Sequence, residues 1–328
     1  VKRHWAAAAL LACLAPLFLA FAWQGGLASI GDDSASYVIL AQAIAGANPA
    51  ILPWVGYHTH FPPLFPLVLA LSGAARNLAI GHAVVALFAV GALALAYRFV
   101  LRETGKRSAA VLLVVAFVLC PTAWISAKGI LSEPMYLFAS LAALVYFQER
   151  LEDGSGDWRP WLAFGFLLAG AFFTRVVGAT LVAALVAWFA VRALERRWPP
   201  RAALLAFVPI GVVLPLWLWL RPVAYQDSYQ RVATNMSTSW TNATSLMASV
   251  SGNSVLAGWV ASFTADASVG TAAMVAVGLV ALLAVAGLWL RLVANRLDAW
   301  YVAISLGVVF WWVFSEDNTR RLLYPLLP

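Results

Sequence analysis

The chain has 328 residues, 63% of them hydrophobic and only 11% charged. A soluble globular chain carries roughly 25% charged residues, so this composition cannot supply a water-facing surface and reads as a polytopic membrane protein. The formal net charge of +7 is spread over short separate loops and forms no basic face, which points to anionic membrane lipid and not to nucleic acid.

A membrane-crossing helix needs ~20 predominantly apolar residues. Runs near that length fall at 5–23, 78–99, 108–126, 134–151, 159–173, 176–194, 202–220, 271–291 and 298–314, and a tenth begins at Leu322. The prediction is an all-α, single-domain chain over 1–328 with nine to ten transmembrane helices. Because the tenth run stops at Pro328, the expectation is that the domain continues in a longer protein.

Basic residues collect in cytoplasmic loops. With the N-terminus inside, those loops hold Lys2, Arg3, Arg98, Arg102, Lys106, Arg107, Arg150, Arg159, Arg192, Arg196, Arg197, Arg201, Arg291 and Arg296, 14 of the 21 Lys and Arg. This predicts a multi-pass protein of the cytoplasmic (plasma) membrane, N-terminus inside, with outer loops at about 24–77 and 221–270. The first span lacks a small-residue cleavage site before a polar mature start and is read as a retained helix. Cys13 and Cys120 lie in apolar spans and read as small packing residues.

After the first span comes Gly-Asp-Asp-Ser-Ala-Ser-Tyr over 31–37, with adjacent carboxylates at Asp32 and Asp33. Acid pairs are scarce in so apolar a chain, so this one leads the candidates for chemistry. A helix is expected over Ser34 to Ala45, and the structural alternative for Asp33 is an N-cap. His58 and His60 follow in a proline-rich stretch, where Pro62, Pro63 and Pro66 delay a helix to about Pro66. Their spacing permits a metal site only with an acid from elsewhere, or a hydrogen-bonding role. Leu67 to Leu71 is too short to span and reads as re-entrant or interfacial.

Further along, Lys128 lies at an outer span end. Ser132 is expected to cap the next helix, with Glu133 favouring its N-terminal dipole and Pro134 suiting its first turn. Arg175 stands in the short outer turn Phe172 to Gly178, either at a site or snorkelling to the interface. The segment Tyr225 to Ser254 is polar with few charges, and reads as a site cover, a polar docking loop or a plain solvated loop; its sequons at Asn235 and Asn242 are weak patterns. Arg320 and Arg321 follow Glu316 and Asp317, and their forked donors suit a phosphate or an internal salt bridge.

Taken in order, Asp33 to Ala41, His60 to Pro66 (His-Phe-Pro-Pro-Leu-Phe-Pro), Leu131 to Pro134 (Leu-Ser-Glu-Pro), Leu168 to Arg175 and Arg321 to Pro325 (Arg-Leu-Leu-Tyr-Pro) make a pattern that resembles the GT-C superfamily of polytopic glycosyltransferases. Within it the chain is similar to the bacterial branch related to protein O-mannosyltransferases and lipid A aminoarabinose transferases. The resemblance implies a GT-C-like helical bundle with a loop helix on the outer face after the first span. It implies transfer of a sugar from a polyprenyl-phosphate donor to a lipid, glycan or protein acceptor, with inversion.

By its distance to Tyr37, Asp33 matches the catalytic Asp of the family's first outer loop. Ser34 follows where the family commonly has Glu, and Asp32 precedes. The implied roles are Asp33 and Asp32 catalytic; Arg320, Arg321, Arg175 and Lys128 on the donor phosphate; and Tyr37, His58, His60 and Glu133 at the substrate site. No cofactor is implied outright; relatives differ in metal dependence, so a divalent metal stays open, and no residue is assigned to one. Two other classes compete. A transporter or lipid flippase predicts ionisable residues in mid-span and broken helices in matching halves, and a catalytically silent envelope protein of the same fold predicts acids retained only as caps.

Overall fold

The computed structural model describes residues 14–17, 20–21, 32–47, 61–152, 156–196, 200–220, 271–311, 323 and 326. Every regular element among them is helical. In chain order these are α1 (Asp32–Ile44), α2 (Leu64–Ser72), α3 (Leu78–Thr104), α4 (Arg107–Val118), α5 (Pro121–Lys128), α6 (Glu133–Arg150), α7 (Trp158–Thr174), α8 (Ala179–Leu194), α9 (Val208–Leu220), α10 (Thr271–Val293) and α11 (Leu297–Trp311). Short 3-10 segments at Val176–Gly178 and Arg201–Phe207 lead into α8 and α9.

Local chemistry sets the boundaries. Asn77 caps α3 by accepting the Ala79 N–H, and Asp157 caps α7 by accepting the Arg159 N–H, each satisfying a donor the helix itself leaves open. At its other end α3 stops at Gly105, whose φ of +65° is open to glycine at no steric cost and whose N–H donates to the Leu101 carbonyl. The sequence places that end near residue 99. Arg98, Arg102 and Glu103 carry the helix on to Thr104, since long unbranched side chains are good helix formers.

Two expectations need correction. The run 108–126 is not one straight helix: α4 ends at Val118, α5 starts at Pro121, and their axes bend by 59°. Pro121 has no N–H and its ring clashes with the carbonyl four residues back, but it suits the first position of a new helix. The Trp124 indole N–H donates to the Val118 carbonyl at 2.6 Å across the break. Secondly, α2 begins at Leu64, ahead of Pro66, because first-turn positions need no backbone donor and tolerate proline.

Three helical stretches are long and apolar enough to cross a membrane: Leu78–Thr104, Val176–Leu194 and Arg201–Trp219, or four if the bent pair counts as one span. Among the predicted spans, α6 has Glu133, Glu149 and Arg150 in its 18 residues and α7 is 17 residues long, so length and composition alone do not single them out. Most of the run 5–23, the loop 221–270 and the run from Leu322 lie outside the described residues, as do Cys13, Asn235 and Asn242.

Helix packing explains the small residues. Ala86, Ala89, Ala92 and Ala96 form a buried stripe on α3 facing Leu137 and Leu141 of α6, and small side chains let two backbones approach closely. Trp161, Phe164, Phe147 and Trp188 fill the space between α6, α7 and α8, joined there by Tyr301 of α11. Gly165 is obligatory at its crossing, since a Cβ there would lie 2.5 Å from the Ala206 carbonyl oxygen. Outward, Leu87, Leu112, Leu119 and Leu283 stand largely exposed, a surface that lipid solvates better than water.

Helix ends distant in sequence gather at two places in the assembly. At one, the ends of α3, α6 and α10 and the start of α11 share an ion network. Glu103 bonds Arg291, Arg296 and Gln148; Arg296 also pairs with Glu152; Arg291 is bidentate on Asp298. At the other lie α1 and the turns 73–77, 128–133 and 174–178.

Candidate active site

The α1 helix begins at Asp32, so Asp33 sits inside its first turn, where the helix dipole favours a carboxylate. This replaces the reading of Asp33 as an N-cap. Four positions on, Tyr37 shares the same face of the helix. Asp33 is half-buried, whereas Tyr37 is 3% exposed. The Tyr37 ring packs against Phe61 and Phe65 with centroids 4.8 and 5.0 Å away.

Past that ring, the Tyr37 hydroxyl lies 2.8 Å from Ser132 Oγ, a link spanning 95 positions of sequence. Ser132 does stand at the N-cap position of α6, but its side chain makes no capping bond. Its backbone has helical angles (φ −79°, ψ −11°) instead of the extended ones a capping serine adopts, and the hydroxyl turns to Tyr37. The expected cap is therefore a crosslink.

The next residue, Glu133, is fully buried and meets Arg175 Nη1 at 2.8 Å; the Arg175 side chain is 18% exposed. Arg175 Nη1 also donates to Ser132 Oγ at 3.4 Å. Arg175 thus points inward onto an acid and does not snorkel. The backbone aims it: after α7 the chain turns extended at Arg175 (φ −150°, ψ 138°), then coils through Val176–Gly178. A Cβ at Gly178 would lie 2.6 Å from the Phe172 nitrogen and 2.7 Å from the Ala171 carbonyl, so only glycine lets the coil fold back this tightly.

Burial pushes the Tyr37 phenol up; the Arg175 charge opposes the shift, while Glu133 and Asp33 add to it. The phenol is therefore neutral at any ordinary pH, a hydrogen-bonding group and not a base. The charges on Asp33, Glu133 and Arg175 all act on this phenol.

Lys128, the last residue of α5, is exposed. The following Gly129 abuts α1, because a Cβ on it would lie 3.2 Å from Ser34 Oγ. The structure thus brings together Asp33, Tyr37, Glu133 and Arg175 from three separate stretches of sequence, with the end of α5 alongside. His58, His60, Arg320, Arg321 and the Asp32 side chain lie outside the described residues. Among the described residues no three His, Cys, Asp or Glu side chains form a group suited to a metal ion.

No family model, curated protein or solved structure matches the chain. The functional reading therefore rests on the residues. Ser132 is the member that sequence reasoning misplaced: serine before Glu-Pro at a helix start is a capping signal, and nothing local reveals a partner 95 residues upstream. The Glu133–Arg175 pair, 42 positions apart, likewise depends on α6 and α7 packing side by side.

This arrangement has three working parts. A carboxylate is reachable at the start of α1. A guanidinium is held in a fixed direction by a buried acid, since an uncompensated buried charge is costly and both partners stay put. A neutral hydroxyl pair, Tyr37 with Ser132, links the helix that bears the carboxylate to the guanidinium.

Proposed function

We propose that the chain is a membrane glycosyltransferase that moves a hexose or pentose from a polyprenyl-phosphate carrier to an acceptor on the outer face of the cytoplasmic membrane. The single observation that supports this best is the convergence of Asp33, Glu133 and Arg175, each from a different motif of the GT-C resemblance, at one end of the helical assembly. On this reading the molecule is a GT-C-like bundle of nine to ten spans, with α1 as its outer-face loop helix.

The chemistry follows from the parts. The acceptor hydroxyl oxygen attacks the anomeric carbon and forms the new glycosidic bond. Asp33 takes the hydroxyl proton as general base, with Asp32 beside it. The bond from the anomeric carbon to the phosphate oxygen breaks, and the carrier leaves as an anionic polyprenyl phosphate. Arg175 and Lys128, with Arg320 and Arg321, stabilise the charge that develops on it. Glu133 keeps Arg175 in place and, being fully buried, touches no substrate, a revision of its reading as a substrate-site residue. The carrier's tail stays in lipid, which is why such an enzyme is built in a membrane.

The bent α4–α5 pair is a feature that a transporter would also use, but no second break of that kind is found among the described residues. The test is turnover of radiolabelled polyprenyl-phosphate hexoses and pentoses by the full chain in detergent. Sugar transfer, or release of free sugar to water, that Asp33→Asn lowers by about 10²–10⁴-fold supports the reading. Equal turnover by Asp33→Asn and the parent removes Asp33 as the base.

A further inference from the structure

We infer that Tyr37 is a positioning residue, which through Ser132 fixes the Asp33 carboxylate relative to the Arg175 guanidinium; the inference rests on the transferase reading above. It replaces the expectation that Tyr37 contacts substrate, since a side chain 3% exposed acts through its neighbours.

The geometry gives one hydroxyl two partners. Ser132 Oγ lies 2.8 Å from the Tyr37 hydroxyl and accepts from Arg175 Nη1 at 3.4 Å. A chain of two hydrogen bonds thereby joins α1 to the residue that follows α7. Asp33 lies one helical turn before Tyr37 on the same face, so any slide or roll of α1 that this link resists would carry the base with it. The ring and the hydroxyl have separate duties. Phe61 and Phe65 hold the ring, and only the hydroxyl reaches across to Ser132. Burial keeps the phenol neutral, so the link does not switch with pH in the working range.

Small displacements matter here because transfer needs nucleophile, base and leaving group aligned together. A misplacement of about 1 Å can cost on the order of 10²-fold in rate. Tyr37→Phe keeps the packed ring and deletes only the link, so it separates positioning from folding.

The experiment is steady-state kinetics of the full chain with radiolabelled polyprenyl-phosphate hexoses and pentoses. It compares the parent, Tyr37→Phe, Ser132→Ala and the double variant, with thermal midpoints measured alongside. The expected result is a loss of about 10-fold or more in kcat for Tyr37→Phe, a donor KM within about twofold of the parent, and a double variant no worse than the weaker single. Such non-additivity marks two residues acting as one link. An active parent whose kcat is unchanged by Tyr37→Phe overturns the inference while leaving the transferase reading intact. Single losses that multiply in the double variant, or a lowered midpoint with normal kcat, overturn it as well. A parent that turns over no donor fails the transferase reading and removes the inference with it.

Discussion

The two ends of the helical assembly both carry charge, but they use it differently. At the Glu103 end, Arg291 and Arg296 are shared among Glu103, Glu152 and Asp298, and Arg98 binds Glu149 in bidentate fashion at 2.6 and 2.7 Å. These side chains are partly exposed, each acid faces a guanidinium, and the network ties helix ends separated by almost 200 positions. Among the described residues, the Asp33 end shows a buried ion pair, two linked hydroxyls and a half-buried carboxylate. The first pattern holds helices together. The second holds the Arg175 guanidinium on a buried acid beside a half-buried carboxylate, the distribution that the proposed transfer would use.

The largest stability effect should come from the buried pair. Glu133→Ala removes the buried acid that Arg175 meets at 2.8 Å and is expected to cost roughly 3–5 kcal/mol, read as a lower thermal midpoint in detergent. A change as small as that of a surface pair would break the contrast between the ends.

Gly178→Ala comes next. Its Cβ would press on the backbone of Ala171 and Phe172, and backbone cannot swing aside as a side chain can. The expected cost is about 1–3 kcal/mol, with sugar transfer lowered because Arg175 is re-aimed. A variant as stable and as active as the parent would show that the turn has slack.

The smallest effect belongs to the network. Arg296→Gln leaves Glu103 with Arg291 and Gln148, so the expected loss is about 1 kcal/mol or less, shrinking further as salt is raised. A loss matching that of Glu133→Ala would make both ends structural in the same sense.

Much of this was legible in the sequence, for identifiable reasons. Apolar runs near 78, 134, 159, 176, 202, 271 and 298 became helices with boundaries a few residues away, because length, composition and capping residues such as Asn77 and Asp157 are local signals. The break before Pro121 also had a local cause, which apolar composition on either side concealed. Asp33 and Tyr37 stood out in the outer loop after the first predicted span, and Glu133 and Arg175 at predicted span ends. Their pairing did not, because Ser132 reaches Tyr37 and Glu133 reaches Arg175 only once α1, α6 and α7 have packed. The ion network was hidden for the same reason: Arg291 and Arg296 read only as separate loop charges, and nothing local singled out Glu103 as their partner.

The most direct test of the account is to measure sugar transfer from polyprenyl-phosphate donors by Asp33→Asn and Arg296→Gln side by side, each against the parent. The account predicts that Asp33→Asn loses transfer by about 10²–10⁴-fold while its thermal midpoint holds, and that Arg296→Gln keeps transfer within about twofold. Equal transfer by Asp33→Asn and the parent, or equal losses in both variants, would contradict the claim that the Asp33 end carries the chemistry.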